Sequence, residues 1–255
     1  MKQKSKNLLQ FTESTVIKSA SFQEAKYTQI FAPSLYIAYE NNNLYLKRIH
    51  GQTLTIAGEN NQKLYFKTAE LLGQLHAKAL NCEVHTLSTP LKFEDSLLSS
   101  WNKATVELEK EKDFLLSSCE ELLSHMKIVK RNGVYLDANP NNWIVEKGNI
   151  VAIDFGHVSI ASFASDLAQL FDYNPIAIPF EPFFNSWSKG LQNPVLAKVA
   201  KDDFQFVRIF STLCRVPYHS AKRRLFWYRK SYKLCQELRL ETLRSAFLKV
   251  INLIS

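Results

Sequence analysis

The sequence predicts an α+β fold, with a strand pattern near the N-terminus and a mostly helical pattern beyond Gly58. Two observations carry that division. Thr15-Val16-Ile17-Lys18 alternates toward an apolar strand, whereas from residue 63 the apolar residues recur at helical spacing. A third observation places the chemistry: the short strands around Trp143 to Ile153 interrupt the helical pattern and end on polar residues at both sides. A chain of 255 residues with 46% hydrophobic content can bury a substantial core, as one large domain or two small ones.

In chain order, Thr15-Val16-Ile17-Lys18 reads as a strand, and Ser21 as the N-cap of a helical segment opening Phe22-Gln23-Glu24-Ala25. Gly58 to Gln62 is a soft separator. Residues 63–81 then carry Leu64, Phe66, Ala69, Leu71, Leu72 and Leu75 on a helix, and Phe93 to Lys130 gives a second long helical region. After the strands, Phe163 to Leu170 starts another helix. Phe180, Phe183, Phe184 and Trp187 read as an aromatic lining suited to a ligand.

The chemistry concentrates between Asp137 and Gly156. Asp137-Ala138-Asn139-Pro140-Asn141-Asn142 precedes the apolar Trp143-Ile144-Val145; a Gly148-Asn149 turn follows, and then Ile150-Val151-Ala152-Ile153-Asp154-Phe155-Gly156. Asn and Pro are ordinary loop residues, so the first segment alone reads equally well as a turn. A turn, however, does not require Asp154 at the end of the next strand. Two carboxylates and a carboxamide at this spacing suit phosphoryl transfer from a magnesium nucleotide, which needs a base to orient the attacking hydroxyl and hard oxygen ligands for the metal.

The D-x-x-x-x-N segment, strand and D-F-G resemble those of the protein kinases and their small-molecule relatives. With Pro140 at the fourth position and Ile153 before Asp154, the closer resemblance is to the aminoglycoside phosphotransferase and choline kinase superfamily, whose usual form is H-G-D-L-H-P-G-N. The resemblance implies a two-lobed, protein-kinase-like fold with a reduced N-terminal β lobe (1–50, hinge at 47–50) and a mostly helical C-terminal lobe (51–255). It implies ATP and Mg2+ as cofactors and transfer of the γ-phosphate to a hydroxyl of a small molecule. Asp137 would be catalytic, and Asn142 and Asp154 the metal ligands. Lys18, steadied by Glu24, would reach the α- and β-phosphates, and adenine would be read by backbone groups of Lys47, Arg48 and Ile49. Leu71 to Ala77 resembles the family's L-x-x-L-H helix, giving His76 a structural role, and Asp166 matches an aspartate that braces the catalytic loop.

The departures leave other readings open. Tyr135 stands where the family usually has His, and Asn139 and Asn141 replace its second His and its Gly. No glycine precedes Gly51, so residues 1–17 carry no Gly-rich phosphate loop. An atypical protein or lipid-saccharide kinase is one alternative. A pseudokinase that binds nucleotide or a partner without turnover is the other.

Composition bounds the partners. Cys82, Cys119, Cys214 and Cys235 are scattered without a C-x-x-C pair, which fits free thiols in a reducing compartment. The basic start, Met1 to Asn7, is followed by an apolar run too short for a secretion signal, and no run approaches the ~20 residues of a membrane span. These features imply a cytoplasmic protein. Residues 208–255 hold eleven Lys or Arg against two acids, so the positive excess of the chain, +8 overall, lies there. Lys222, Arg223, Arg224, Arg229 and Lys230, interleaved with Phe226, Trp227, Tyr228 and Tyr232, either steer an anionic substrate or partner or form the hydrated face of an amphipathic helix. No nucleic-acid motif accompanies them.

Overall fold

A computed structural model of the protein describes residues 9–82, 93–102, 108–128, 133–174 and 176–254. The expectations for residues 1–8, for 103–107 and 129–130 of the second helical region, and for Pro175 lie outside the described residues. By its contacts the chain divides into two compact units, Met1–Thr89 with Asn132–Ala197, and Pro90–Arg131 with Lys198–Ser255.

The first unit opens with β1 (Leu9–Phe11), β2 (Thr15–Ser19), α1 (Phe22–Phe31), β3 (Tyr36–Glu40) and β4 (Asn43–Lys47). The four strands form one sheet in the order β1-β2-β4-β3. Asn41 and Asn42 both hold positive φ, 51° and 60°, where β3 turns into β4 with Glu40 opposite Asn43. Two left-handed residues are what a two-residue hairpin needs to match strand twist, and Asn tolerates that region. Ser21 caps α1 as its sequence predicts, its hydroxyl accepting the Glu24 N–H at 3.1 Å. The same cap aims the Glu24 side chain back toward β2.

Beyond Gly51 come β5 (Gln52–Thr53), α2 (Leu54–Ala57) and α3 (Gln62–Leu80). A second sheet, β5-β7-β8, uses β7 (Trp143–Glu146) and β8 (Asn149–Ala152), and a third pairs β6 (Gly133–Tyr135) with β9 (Ser159–Ala161). The β7–β8 turn is Lys147-Gly148, at φ 50° and 82°, while Asn149 already pairs with Glu146, one residue earlier than the sequence suggests.

Two further helices, here α7 (Ala164–Asp172) and α8 (Phe180–Leu191), complete this unit. Gly73 and Gly190 let α3 and α8 cross closely: a Cβ on Gly190 would lie 2.0 Å from the Glu70 carbonyl oxygen, and one on Gly73 2.2 Å from that of Trp187. Packing rather than flexibility therefore requires these glycines. Phe183 and Trp187 are fully buried and Phe184 nearly so. Of the expected aromatic lining, Phe183, Phe184 and Trp187 are thus core, with Trp187 packed on Phe163 and Phe183 on Phe171, while Phe180 is half-buried.

The second unit holds α4 (Phe93–Trp101), α5 (Glu109–Leu116), α6 (Glu120–Ile128), α9 (Pro194–Arg215) from Lys198 onward, α10 (Ala221–Glu237) and α11 (Glu241–Ile254). Among its described residues, the expected helical region over 93–130 is made of α4, α5 and α6. Between α5 and α6 the Ser117 hydroxyl bonds the Asp113 carbonyl at 2.5 Å, a side-chain bond to backbone that competes with helix continuation. Buried Glu111 on α5 takes a two-point contact from Arg224 (Nε 3.0 Å, Nη2 2.9 Å) and the Tyr228 hydroxyl at 2.6 Å. Burial, then Glu111, pushes the Tyr228 hydroxyl far above its ordinary range. Arg224, Trp227 and Tyr228 of the basic cluster are thus committed to packing, whereas Lys222, Arg223, Phe226 and Arg229 are exposed. The cysteines are free; burial raises the Cys119 and Cys235 thiols to about 12. No helix among the described residues is long and apolar enough to cross a membrane.

Candidate active site

Two clusters of functional side chains lie in the first unit, both set by strand ends. In the first, the Lys18 ammonium on β2 sits 2.6 Å from Glu24 Oε1 on α1 and 2.6 Å from Asp154 Oδ1 just after β8. Burial acts to lower the Lys18 pKa, but the hydrogen bonds and charges of Asp154 and Glu24 outweigh it and hold the ammonium above its ordinary 10.5. Asp154 adopts φ 64°, an uncommon conformation for a non-glycine residue. Gly156 follows where a Cβ would come within 3.2 Å of Glu24 Oε2 and 3.5 Å of Asp154 Oδ1, so a side chain there would crowd the ion pairs. Phe155 is buried against Phe31 of α1, ring centroids 5.4 Å apart, which anchors the segment from the other side.

The second cluster surrounds Asp137, also at positive φ, 60°. Its Oδ1 accepts the Tyr135 hydroxyl at 3.0 Å and Gln169 Nε2 at 2.5 Å. Asn142 Nδ2 donates to the Asp137 carbonyl at 2.9 Å and to Oδ2 at 3.2 Å, which turns the Asn142 oxygen the other way. The loop between them is a short 3-10 turn, Pro140–Asn142, capped by the Asn139 side chain, which accepts the Asn141 N–H at 3.0 Å. The Asn141 side chain accepts the Thr55 hydroxyl at 2.7 Å. Both asparagines that depart from the family pattern therefore build the loop.

Asp166 holds this loop from beneath. Fully buried, it accepts Leu136 N–H at 2.7 Å, Ala138 N–H at 2.9 Å and a contact from His76 Nε2 at 2.9 Å. Trp187 Nε1 donates to His76 Nδ1 at 3.0 Å, so the imidazole proton sits on Nε2 and faces the carboxylate. His76 and Asp166 are scaffold, the roles that the family resemblance implies for them.

The clusters are linked through β7 and β8. Trp143 pairs with Ala152, and the Ile153 N–H donates to the Asn142 carbonyl at 2.8 Å, so Asn142 and Asp154 flank one backbone bridge. Among the described residues no group of three or more His, Cys, Asp or Glu could hold a metal. The available donors are one carboxylate and one carboxamide oxygen, the hard oxygen set of an ion that completes its shell with phosphates and water.

A cavity of about 330 Å³ opens beside Lys18 and Asp154, walled by Leu44, Leu46, Ile144 and Ile153. Lys47 and Ile49 of the expected hinge line it. The Lys47 and Arg48 N–H groups are already used by the Leu35 and Ser14 carbonyls, both at 2.8 Å. The Arg48 side chain turns to the β1–β2 turn, donating to the Thr12 carbonyl at 2.7 Å. That turn, Thr12 to Ser14, is glycine-free and closed by Thr12, whose backbone N–H donates to the Thr15 carbonyl at 2.9 Å.

Sequence reasoning missed Gln169 and the hydroxyl of Tyr135 as partners of Asp137. The Gln169 signal was present: it lies three residues after Asp166 on α7, hence on the same helix face.

A family model described as "Phosphotransferase enzyme family" matches residues 38–198. No curated protein matches the chain in sequence. Among solved structures it resembles a choline/ethanolamine kinase family protein from Mesorhizobium loti (TM-score 0.61, 11% identity, 94% of this chain and 89% of that one). It also resembles an amicoumacin kinase in complex with AMP-PNP, Ca2+ and Ami (0.63, 13%, 90% and 84%) and a Plasmodium vivax ethanolamine kinase (0.53, 15%, 87% and 75%). These likenesses bear out the kinase-like α+β fold, a small N-terminal sheet followed by a mostly helical remainder.

Proposed function

The chain belongs to the phosphotransferase enzyme family, and on that premise we propose that it transfers the γ-phosphoryl group of ATP to a hydroxyl of a small molecule. The observation that carries the reading is Lys18, held 2.6 Å from both Glu24 and Asp154 at the edge of an apolar cavity. A positive charge fixed there meets phosphates, while the apolar walls receive a base and the Ile49 backbone reads its edge. Asn142 Oδ1 and Asp154 would hold magnesium, which when bound screens charge on the phosphates. Asp137 takes the proton of the attacking hydroxyl. Asp166 keeps Asp137 in place through the backbone on either side of it. Such a protein works where ATP and magnesium are abundant, as in the cytoplasm.

The test is thermal unfolding with ATP, with magnesium or with EDTA. A ligand that binds only the folded state stabilises it by about 2.7 kcal/mol at a hundredfold excess over its Kd. The shift should be larger with magnesium, and Asp154→Asn should abolish the difference; an unchanged difference in that variant removes the metal assignment. The names of the solved neighbours motivate an acceptor panel of choline, ethanolamine, amicoumacin and aminoglycosides. With a working acceptor, Asp137→Ala should cut turnover by on the order of 10² or more while ATP affinity holds. The glycine-free Thr12–Ser14 turn favours the second reading, a nucleotide-binding protein without turnover, which ATP affinity without phosphoryl transfer would support.

A further inference from the structure

We propose that Gln169 is a positioning residue: together with Tyr135 it saturates Asp137 Oδ1 and so reserves Oδ2 for the hydroxyl that is phosphorylated. The inference rests on the phosphotransferase reading above and assigns the roles of the two carboxylate oxygens within it.

A carboxylate oxygen offers about two acceptor sites. On Oδ1 both are filled, by the Tyr135 hydroxyl at 3.0 Å and Gln169 Nε2 at 2.5 Å. Oδ2 has the longer Asn142 contact, 3.2 Å. An incoming hydroxyl can therefore donate to Oδ2 without displacing a partner, and each donor on Oδ1 limits rotation of the carboxylate about its own bond.

The other end of Gln169 shows which end the site uses. The residue is buried, 5% exposed, and its Oε1, shielded from solvent, has no hydrogen-bond partner among the described residues. An unmet buried acceptor is destabilising, yet flipping the amide would set Oε1 against Asp137 Oδ1, acceptor against acceptor. The side chain thus has one tolerable orientation, with its donor on Asp137. Asp166, three residues earlier on α7, holds the backbone on both sides of Asp137, so one helix face fixes that residue's main chain and its side chain together.

In the transfer itself the hydroxyl proton passes to Asp137 Oδ2, the hydroxyl oxygen bonds to the γ-phosphorus, and the bond from that phosphorus to the bridging oxygen breaks, releasing ADP. Gln169 exchanges no proton. It acts through the orientation of the carboxylate.

Two measurements test this, one independent of turnover. In side-chain NMR, one Gln169 amide proton, identified by its loss in Gln169→Met, should lie downfield and return to the ordinary range in Asp137→Ala. A shift indifferent to Asp137 overturns the proposal. In magnesium-ATP hydrolysis, with water as acceptor, Gln169→Met should lower kcat about 10-fold with the KM for ATP and the Tm unchanged. Gln169→Glu, which sets a second carboxylate against Asp137, should lower kcat further. Wild-type kcat in Gln169→Met, or a loss that appears only in KM or Tm, overturns it. If that variant does not fold, Tyr135→Phe, which removes the other donor to the same oxygen, must show the same kcat-only loss. If the amide shift tracks Asp137 but wild-type protein neither hydrolyses ATP nor is stabilised by it, the phosphotransferase reading falls, and the reservation of Oδ2 falls with it.

Discussion

Asp166→Asn isolates the brace beneath the Asp137 to Asn142 loop. The aspartate accepts from Leu136 and His76 at Oδ2 and from Ala138 at Oδ1. An amide has one acceptor oxygen, so its best orientation keeps the two donors on one side and turns its own NH2 toward the Ala138 N–H. His76 cannot relieve the conflict by shifting its proton, because Trp187 donates to the other ring nitrogen. The variant therefore loses one hydrogen bond to a charged group, about 1.5–3 kcal/mol, and leaves a buried N–H unpaired, about 1–3 kcal/mol. The sum, about 2.5–6 kcal/mol, is a large share of the ~5–15 kcal/mol that keeps a typical domain folded. Urea unfolding followed by tryptophan fluorescence reads the change, since Trp143 and Trp187 are buried in the same unit. A loss below about 1 kcal/mol in a variant with native secondary structure would refute the reasoning.

Three further outcomes are expected. Gly190→Ala should destabilise by about 1–3 kcal/mol, because its Cβ meets the Glu70 carbonyl oxygen at 2.0 Å and the helices must separate; a neutral result in thermal unfolding would contradict the close crossing. Arg224→Met leaves the Glu111 carboxylate buried without its cation and should cost about 3–5 kcal/mol, much of it recovered in the double variant Arg224→Met, Glu111→Leu, as a double-mutant cycle would measure. Lys18 has its pKa raised in the folded protein, so its contribution to stability is complete below its ordinary 10.5 and fades as pH rises through the folded value. The stability gap between wild type and Lys18→Met should accordingly be constant from neutral pH to about 10 and close only above that; a gap that closes near pH 7 would contradict the assignment.

What the sequence determined by itself is the local and short-range part of the protein. Ser21 as a cap, the strand that carries Lys18, the Asp137 to Asn142 spacing and the Asp154 strand end are readable because each depends on periodicity, capping or turn chemistry within a few residues. The resemblance of that segment to a known family added the pairing of Lys18 with Glu24 and the structural roles of His76 and Asp166. Tertiary structure alone decided the rest. It joined Lys18 to Asp154 across 136 residues of chain, and Gln169 to Asp137 across 32. It buried Phe183 and Trp187, which in sequence read as a ligand lining, because the Gly73 and Gly190 contacts draw α8 onto α3 and turn those rings into the core. It also divided the basic stretch of α10, committing Arg224 to Glu111 and leaving Lys222, Arg223 and Arg229 in solvent. A helix pattern in the sequence states that one face is apolar; which charged residue at its margin finds a buried carboxylate depends on what packs there, and no local signal carries that.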